Sequence, residues 1–318
     1  MQRRHFLGQL TAVACLGTSR YGFAVDPASA PRIVDTHTHF YDPTRPQGVP
    51  WPPRESPLYR PVYPRDWTAV AAPLGVRETV VVEASAWLED NQWILDLADR
   101  TPAILGLVGH LTPGDGDFAK HLKRLAAHRV FRGIRVGGNL PQNVEDPAFR
   151  AGIRRLADLG LELDVNGPAR IHSAVARLAA DVPTLRIVVN HVGGAGEPSR
   201  LTDAWRQGMA AMARQPNVYC KVSALLEQTE QASRQPGTAP RDVAYYRPVL
   251  DHCWNTFGAD RLIYGSNWPV CEKGGSYADQ FAIVREFFRE KGPEATEKYF
   301  WRNAAAAYRW NERSRADG

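Results

Sequence analysis

The segment IVDTHTHFYDP begins at Ile33 and places two histidines, His37 and His39, one residue apart, with Asp35 two residues before the first. On a β-strand, alternate residues point to the same face of the sheet. The spacing therefore predicts that Asp35 and both imidazoles share one face. Two kinds of site use such a set: a cage for a divalent metal ion, or a polar pocket that holds a substrate.

Polar side chains also stand at the ends of the later apolar runs. Because each of them occupies the same place relative to its run, we expect them to line one common opening. The residues are Glu83 in VVVEAS, His110 in LVGH, Arg135 in FRGIRVG, Asn166 in LDVN, His191 in VVNH, Lys221 in YCKVS and Asn267 in YGSNW. Arg132 of FRGIRVG falls on the opposite face of its strand, where we expect a salt bridge to the helical layer.

This arrangement needs a scaffold in which every strand ends at one edge. From Arg32 onward, eight apolar runs alternate with amphipathic stretches such as DFAKHLKRLAAHR and AFRAGIRRLADLG. Apolar runs bounded by turns are typical of strands buried on both faces, as in parallel sheets. Eight such units predict a single-domain α/β protein, a (β/α)8 TIM barrel over residues 31–318 whose active site lies at the carboxyl ends of the strands.

Two predicted connections are longer than a barrel requires. The first is YDPTRPQGVPWPPRESPLYRPVYPRDW after strand 1, and the second is SALLEQTEQASRQPGTAPRDVAYYRP after strand 7. Both leave the carboxyl ends of their strands. Extended loops at that face often cover an active site, so we expect these two to do so.

Residues 1–30 have the layout of a secretory signal, with paired arginines, a short apolar run and then small residues. RRHFLG resembles the twin-arginine export signal, although Gln2 stands where that pattern usually has Ser or Thr. The apolar run is shorter than the roughly 20 residues that span a bilayer. The segment predicts a periplasmic or secreted protein without a stable membrane anchor.

Composition limits the classes of partner. The net charge of +5 is mild, and the sequence shows no basic stripe interleaved with aromatic residues, so nucleic acid is not a predicted partner. Beyond residue 30 the cysteines are Cys220, Cys253 and Cys271, which form no CxxC pair. We therefore expect neither a disulfide framework nor a cysteine-based zinc site. The predicted partner is a small-molecule substrate, and pairing of barrels through outer helices would make a homodimer.

Five motifs together carry a family resemblance. DTHTHFYDP, FRGIRVGG, VNHVGG, CKVS and YGSNWPV, in this order and spacing, resemble the amidohydrolase-related barrel hydrolases over residues 31–310. Within that family the chain is most similar to the sugar-lactone and 2-pyrone-4,6-dicarboxylate lactonase branch. The resemblance implies a (β/α)8 fold and hydrolysis of a cyclic ester, with a divalent metal in some members and none in others. Other relatives decarboxylate aromatic acids on a zinc ion.

The chain departs from the family pattern at two strand ends. The eighth strand of relatives usually ends in an aspartate, GSDWP, and the fifth often offers a histidine; here the residues are Asn267 and Asn166. An amide binds a hard cation only through its carbonyl, and it cannot accept a proton at useful pH. His37, His39 and His191 remain as a set that could hold zinc with an open position. The sequence leaves two alternatives open: no cofactor, or a single divalent metal, most simply zinc.

Without a metal the reaction needs another base. Glu83 ends the second strand, where the resemblance to lactonases implies a glutamine, and it is the first candidate for a relocated carboxylate. This role requires burial that raises its pKa. His191 is the alternative, because a neutral imidazole titrates near neutral pH. With Asn267, these two residues form the predicted catalytic set.

The remaining predicted roles concern substrate binding. Attack on a carbonyl places negative charge on oxygen, and His37, His39 or Lys221 could donate hydrogen bonds to it. Arg135 could hold a carboxylate or a ring hydroxyl with its bidentate fork.

Asn166 and Trp268 complete the predicted substrate-binding set; an aromatic face suits a sugar or pyrone ring. Asp35 lies deeper and is expected to orient a histidine. The sequence thus predicts a lactone hydrolase. Two alternatives stay open: a zinc-dependent hydrolase or decarboxylase, and a non-catalytic ligand-binding relative that lost the strand-8 aspartate.

Overall fold

The computed structural model describes residues 31–310, so the predicted leader and residues 311–318 lie outside the described residues. One sheet of eight parallel strands follows the chain order from first to last. The strands are β1 Val34–Thr38, β2 Glu78–Val82, β3 Ile104–Gly109, β4 Phe131–Val136, β5 Glu162–Val165, β6 Arg186–Val189, β7 Val218–Val222 and β8 Leu262–Tyr264.

The sheet closes where its first strand meets the segment after its last. The backbone N–H of His39 donates to the carbonyl of Trp268 at 2.9 Å, and Thr38 forms a parallel bridge with Trp268. Closure leaves no free edge between β1 and β8. The predicted (β/α)8 barrel is confirmed.

Helices follow the strands and cover the outside of the barrel. Several begin at a side-chain cap, as α7 does at Thr202 and α10 at Ser276, whose hydroxyls accept from backbone N–H groups of the first turn. Within residues 31–310 no helix has the length and apolar character needed to cross a bilayer. The helices are α1 Pro64–Ala71, α2 Leu88–Asp99, α3 Phe118–Ala126, α4 Leu140–Asn143, α5 Pro147–Asp158, α6 His172–Asp181, α7 Asp203–Ala213, α8 Glu230–Arg234, α9 Val243–Phe257, α10 Tyr277–Glu290, α11 Pro293–Glu297 and α12 Asn303–Tyr308.

Strand alternation divides the core into two parts. Val80 and Val82 of β2 join the cluster inside the barrel, whereas Val81 packs outward beneath the helices. The last helix belongs to the inner cluster through Tyr308. Arg186, the first residue of β6, donates to the carbonyl of Ala307 at 2.5 Å, so α12 closes the amino-terminal end of the barrel. The functional groups lie at the opposite, carboxyl-terminal end of the barrel.

A bulge in β1 changes which residues share a face. The pairing of β1 with β2 shifts by one residue between Asp35 and Thr38. Asp35 therefore faces outward, where its carboxylate accepts from Trp67 of α1 and Tyr277 of α10. Because the extra residue reverses the alternation, His37 faces inward instead. The prediction that Asp35 shares the histidine face is wrong.

Candidate functional site

Three imidazoles meet at the carboxyl end of the barrel. His37 belongs to β1, His39 directly follows that strand, and His191 follows β6. The ring centroid of His37 lies 5.0 Å from that of His39 and 4.3 Å from that of His191. The structure therefore brings together the three histidines that the sequence singled out.

All three imidazoles are held in the neutral form. Burial, with the charge of Lys221 next in importance, places the pKa of His37 and of His191 well below the ordinary value. Burial and the charge of Arg135 lower the pKa of His39 to about 4. Near neutral pH these rings can each accept one hydrogen bond and donate one.

Lys221 lies beneath the histidines and is fully buried. Its ammonium donates to Oδ2 of Asp164 at 2.7 Å and lies 3.3 Å from Nδ1 of His37. The Tyr308 hydroxyl donates to the other oxygen of Asp164 at 2.9 Å. Burial lowers the pKa of Lys221, and the charge of Asp164 opposes this shift. Since Nζ is engaged on both sides, the lysine positions His37 within the barrel.

The hydrogen bond from Lys221 decides the tautomer of His37. An ammonium has no lone pair, so Nδ1 of His37 is the acceptor and the ring proton resides on Nε2. This Nε2 is buried, and it has no hydrogen-bond partner among the described residues. The ring thus holds an unpaired N–H donor at the base of the opening.

Glu83 and Arg135 form an ion pair at the ends of β2 and β4. Nε of Arg135 donates to Oε1 of Glu83 at 2.8 Å, and NH2 of Arg135 donates to the Glu83 carbonyl at 2.9 Å. Burial alone would raise the pKa of Glu83, but the charge and hydrogen bonds of Arg135 hold it below the ordinary value. The raised pKa expected for a base at Glu83 is wrong, because the guanidinium stabilises the carboxylate.

Asn267 occupies the end of β8 and contacts both the histidines and an acid. Its φ of 59° lies in the left-handed region, which asparagine tolerates better than most residues. Its Oδ1 lies 3.2 Å from Nε2 of His39, and its Nδ2 lies 2.6 Å from Oε1 of Glu227. The amide therefore bridges the histidine cluster and the loop that follows β7.

Glu227 is a site residue that sequence reasoning missed. It belongs to the SALLEQTEQ stretch, where several polar residues follow one another without a pattern that favours any of them. Its Oε2 is shielded from solvent and accepts no hydrogen bond from residues 31–310. Burial raises the pKa of Glu227 to about 7, and the Asn267 contact opposes the shift. The only available signal was the position of the loop at the carboxyl end of β7.

A cavity of about 360 Å3 adjoins the histidine cluster. Its lining includes Glu83, Arg135 and Asn166, as predicted, and His110. The three histidines do not line it, but Glu83 does, and the carbonyl of the preceding residue, Val82, lies 2.9 Å from Nδ1 of His39. This cavity can hold the part of a substrate that lies beyond the reacting group.

The structure does not place Trp268 with the other predicted substrate-binding residues at the cavity lined by Arg135 and Asn166. Its ring is 2% exposed, and its indole N–H donates to Oε1 of Glu272 at 2.9 Å. It borders a different cavity, next to Val70 of α1 and Tyr277 of α10. The aromatic ring beside the cluster is Trp51, from the loop after β1, whose centroid lies 5.9 Å from that of His39.

A divalent metal ion would require each histidine ligand to donate its other ring N–H to an acceptor, as metal-binding histidines normally do. His39 does so with the carbonyl of Val82 at 2.9 Å, and His191 can do so with Oγ of Ser223 at 2.9 Å. His37 does not, because its Nδ1 faces the ammonium of Lys221 and its lone pair is used there.

Two of the three histidines are thus oriented as ligands and the third is not. Across residues 31–310, no three His, Cys, Asp or Glu side chains are placed to hold a metal ion. The residues at this site therefore do not fit the three-histidine zinc site that the sequence left open.

Comparisons with known proteins agree with this architecture. The model of the amidohydrolase family (Amidohydro_2) matches residues 34–310. The chain is 33% identical over 284 residues to an L-fucono-1,5-lactonase of Burkholderia ambifaria, covering 87% of this chain and 95% of that protein. It is 25% identical to an L-fucono-1,5-lactonase of Burkholderia multivorans, covering 86% and 94%.

A crystal structure of an amidohydrolase from Burkholderia multivorans with bound zinc superposes with a TM-score of 0.78, at 24% identity, over 88% of this chain and 100% of that one. The family match spans every strand of the barrel and each histidine of the cluster. The chain belongs to the amidohydrolase family.

Proposed function

We propose that this chain is a hydrolase that opens the ring of a sugar lactone. The observation that carries the proposal is the 33% identity to an L-fucono-1,5-lactonase over 87% of the chain. The site offers what the reaction needs: neutral imidazoles, an unpaired N–H donor and an adjoining polar cavity. Water attacks the lactone carbonyl, the bond to the ring oxygen breaks, and the product is a hydroxy acid.

The developing oxyanion is stabilised by His37. Its Nε2–H is buried and has no partner within the described part of the chain, so it is free to donate when a carbonyl oxygen arrives. Lys221 holds this tautomer from below and adds positive charge. A donor fixed before the reaction begins stabilises the tetrahedral intermediate without reorganisation.

His191 is the proton acceptor that the site supports best. Its Nδ1 lies 2.9 Å from Oγ of Ser223. In the tautomer whose Nδ1–H donates to this hydroxyl, Nε2 carries a lone pair and takes a proton from the attacking water. Its lowered pKa keeps the ring neutral beforehand and makes the imidazolium a strong acid. That acid returns the proton to the ring oxygen as the C–O bond breaks.

A metal-dependent reaction remains as an alternative outcome of the experiments. Zinc-dependent chemistry is supported by the zinc-bound amidohydrolase of similar fold. The tautomer of His37 argues against a third nitrogen ligand, because the lone pair of Nδ1 already faces Lys221.

Residues 1–30, with their paired arginines, support export to the periplasm or the medium.

The direct test is hydrolysis by the chain without residues 1–30. We would offer a panel of aldonolactones and pyrone lactones and follow acid release with a pH indicator, with and without chelator. Turnover that survives chelation supports the proposal. Stoichiometric zinc with chelator-sensitive turnover supports the metal-dependent alternative, and no turnover on any lactone overturns the proposed function.

A further inference from the structure

A second cavity lies beside the one that adjoins the histidine cluster. Its volume is about 640 Å3, whereas the first cavity has about 360 Å3. His110, Leu111 and Thr112, which follow β3, line both cavities, so the two adjoin along this segment. The second cavity extends from there to Leu88 at the start of α2 and to Phe118 at the start of α3.

The segment shared by the two cavities is held by a buried side chain. Asn91 of α2 donates from Nδ2 to the carbonyl of His110 at 3.0 Å, and its Oδ1 accepts from the N–H of His110 at 2.8 Å. A Cβ at Gly109 would collide with the same Oδ1, so glycine is needed for this approach. The shared segment therefore has a defined position before any ligand binds, which lowers the cost of binding.

The second cavity combines an apolar floor with a polar rim. Leu111 and Phe118 are buried and form the floor, whereas Asp115 and Asp117 are exposed at the rim together with the half-buried His121. A sugar ring has the complementary surface, because its faces carry C–H groups and its edge carries hydroxyls. Carboxylates accept hydrogen bonds from such hydroxyls.

The charges at the rim favour a neutral occupant over an anionic one. No lysine or arginine of residues 31–310 lines the second cavity. The nearby cation Lys120 lies 3.8 Å from Asp117, and its side chain is largely exposed to solvent. A phosphate or a uronic acid would meet two carboxylates here without a counter-charge, so a sugar without an acidic group fits the cavity better.

The order of the cavities fits a substrate of two rings. With the reacting carbonyl at His37, the ring of a lactone extends into the first cavity, where Arg135 and Asn166 contact its hydroxyls. Pockets of about 300–1,000 Å3 hold drug-sized ligands, so the first cavity alone is sufficient for one sugar ring. The larger second cavity is then available to a group attached to that ring.

We infer that the second cavity is a subsite for a neutral sugar unit attached to the lactone ring, which makes the lactone of a disaccharide acid the preferred substrate. The inference deepens the proposed lactonase function and rests on it. The reaction itself is unchanged: water adds to the carbonyl carbon, the bond from this carbon to the ring oxygen breaks, and the ring oxygen takes the proton. The glycosidic bond stays intact, and binding of the remote sugar favours the reaction.

A matched set of lactones tests the subsite. Gluconolactone, maltobionolactone and melibionolactone contain the same lactone ring, and the latter two carry a second sugar at different carbons of that ring. With spontaneous hydrolysis subtracted, we expect kcat/KM for one of the disaccharide lactones to exceed that for gluconolactone by at least about tenfold. Values for both disaccharide lactones at or below that of gluconolactone overturn the inference.

Gly116→Trp blocks the second cavity without altering the first. Gly116 lines only the second cavity, its backbone lies outside the left-handed region, and a Cβ there would meet no atom within 4 Å. We expect the variant to lose about tenfold or more in kcat/KM on the disaccharide lactone and to stay within about twofold on gluconolactone. Equal losses on both lactones would contradict a separate subsite.

Two further variants control for this result. Gly137 lines only the first cavity, and a Cβ there would lie 3.8 Å from the carbonyl oxygen of Asn166. Gly137→Leu should therefore lower kcat/KM on every lactone. Lys123→Trp places the same indole on an exposed position of α3 that lines neither cavity, and it should behave as wild type on both substrates.

A binding measurement separates the subsite from the lactonase function. Calorimetry with maltobionate, melibionate and gluconate, the ring-opened acids, requires no turnover. We expect one of the disaccharide acids to bind at least about tenfold more tightly than gluconate, and this difference to disappear in Gly116→Trp. That result in a chain that hydrolyses no lactone refutes only the proposed function. Equal affinity for all three acids, or binding of none, refutes the subsite even where lactones are hydrolysed.

Discussion

Lys221 Nζ lies 2.7 Å from Oδ2 of Asp164 and 3.3 Å from Nδ1 of His37, so a buried ion pair supports the ring that faces the substrate. The lysine reaches His37 only because β5 and β7 both turn these side chains into the barrel. In this way an interaction inside the barrel determines which nitrogen of His37 is free at the mouth. Substitutions that remove such contacts should change activity, stability or both.

Lys221→Met should destabilise the fold and reduce activity. The substitution leaves Asp164 buried without its counter-charge, which costs about 3–5 kcal/mol. The double variant Lys221→Met with Asp164→Asn should recover much of the stability, measured by urea denaturation. Its kcat should stay at least about tenfold below wild type, because Nε2–H of His37 is no longer enforced. Recovery of full activity in the double variant would show that Lys221 matters only for folding.

Glu83→Gln distinguishes an ion-pair partner from a base. Because Arg135 holds Glu83 ionised, we expect a loss in kcat/KM of less than about tenfold and a pH profile of unchanged shape. Arg135→Gln is the matched partner variant and should cause a loss of similar size. A loss of about a thousandfold or more in Glu83→Gln alone would instead identify Glu83 as the base.

Asn267→Asp places a second carboxyl group next to Glu227. Two carboxyl groups at 2.6 Å share one proton, so we expect lower stability above pH 7, by about 1–2 kcal/mol. Adding Glu227→Gln should remove this penalty, as thermal unfolding at pH 8 would show. The same variant tests the binding-protein alternative, since lactonase activity that appears only after Asn267→Asp would indicate a site that lost its catalytic acid.

Glu227→Gln should change how the free energy of unfolding depends on pH. The unfolded chain ionises this carboxyl near its ordinary pKa of 4.5, whereas burial raises the pKa to about 7 in the folded chain. The folded state therefore binds more protons in this window, and stability falls as pH rises from about 4.5 to 7. The glutamine variant lacks this term and should be more stable than wild type at pH 8, on the order of 1–3 kcal/mol.

Unfolding in urea at pH 5 and pH 8 provides the measurement, with Glu230→Gln as the control for charge in the same connection. Equal pH dependence in Glu227→Gln and wild type would show that Glu227 is ionised in the folded state.

The barrel and its histidine cluster could be predicted because both depend on local periodicity. Buried strands between amphipathic helices require a parallel sheet. Residues at the carboxyl ends of these strands must then lie together at one edge of the barrel. His37, His39 and His191 follow from this rule, as do Arg135 and Asn166 at the adjoining cavity. The family motifs strengthened the same conclusion.

The pairing of charges could not be predicted in this way. Glu83 and Arg135 follow strands that are not neighbours, since β3 lies between β2 and β4, yet their side chains meet. This contact reverses the expected direction of the Glu83 pKa shift. The direction of the Trp268 side chain could not be predicted, because for a residue after a strand this direction depends on the turn that follows. The bulge in β1 is likewise set by pairing with β2, and it moved Asp35 to the outer face.

The amino-acid sequence by itself determined the fold, the family and the residue types at the mouth, because these depend on hydrophobic period and on motif spacing along the chain. Only the tertiary structure decided which of those residues are charged and which nitrogen of each histidine is free. Such properties depend on burial and on neighbours distant in sequence, as for Glu227 beside Asn267, 40 positions apart. No local pattern encodes that approach; it exists because the barrel closes.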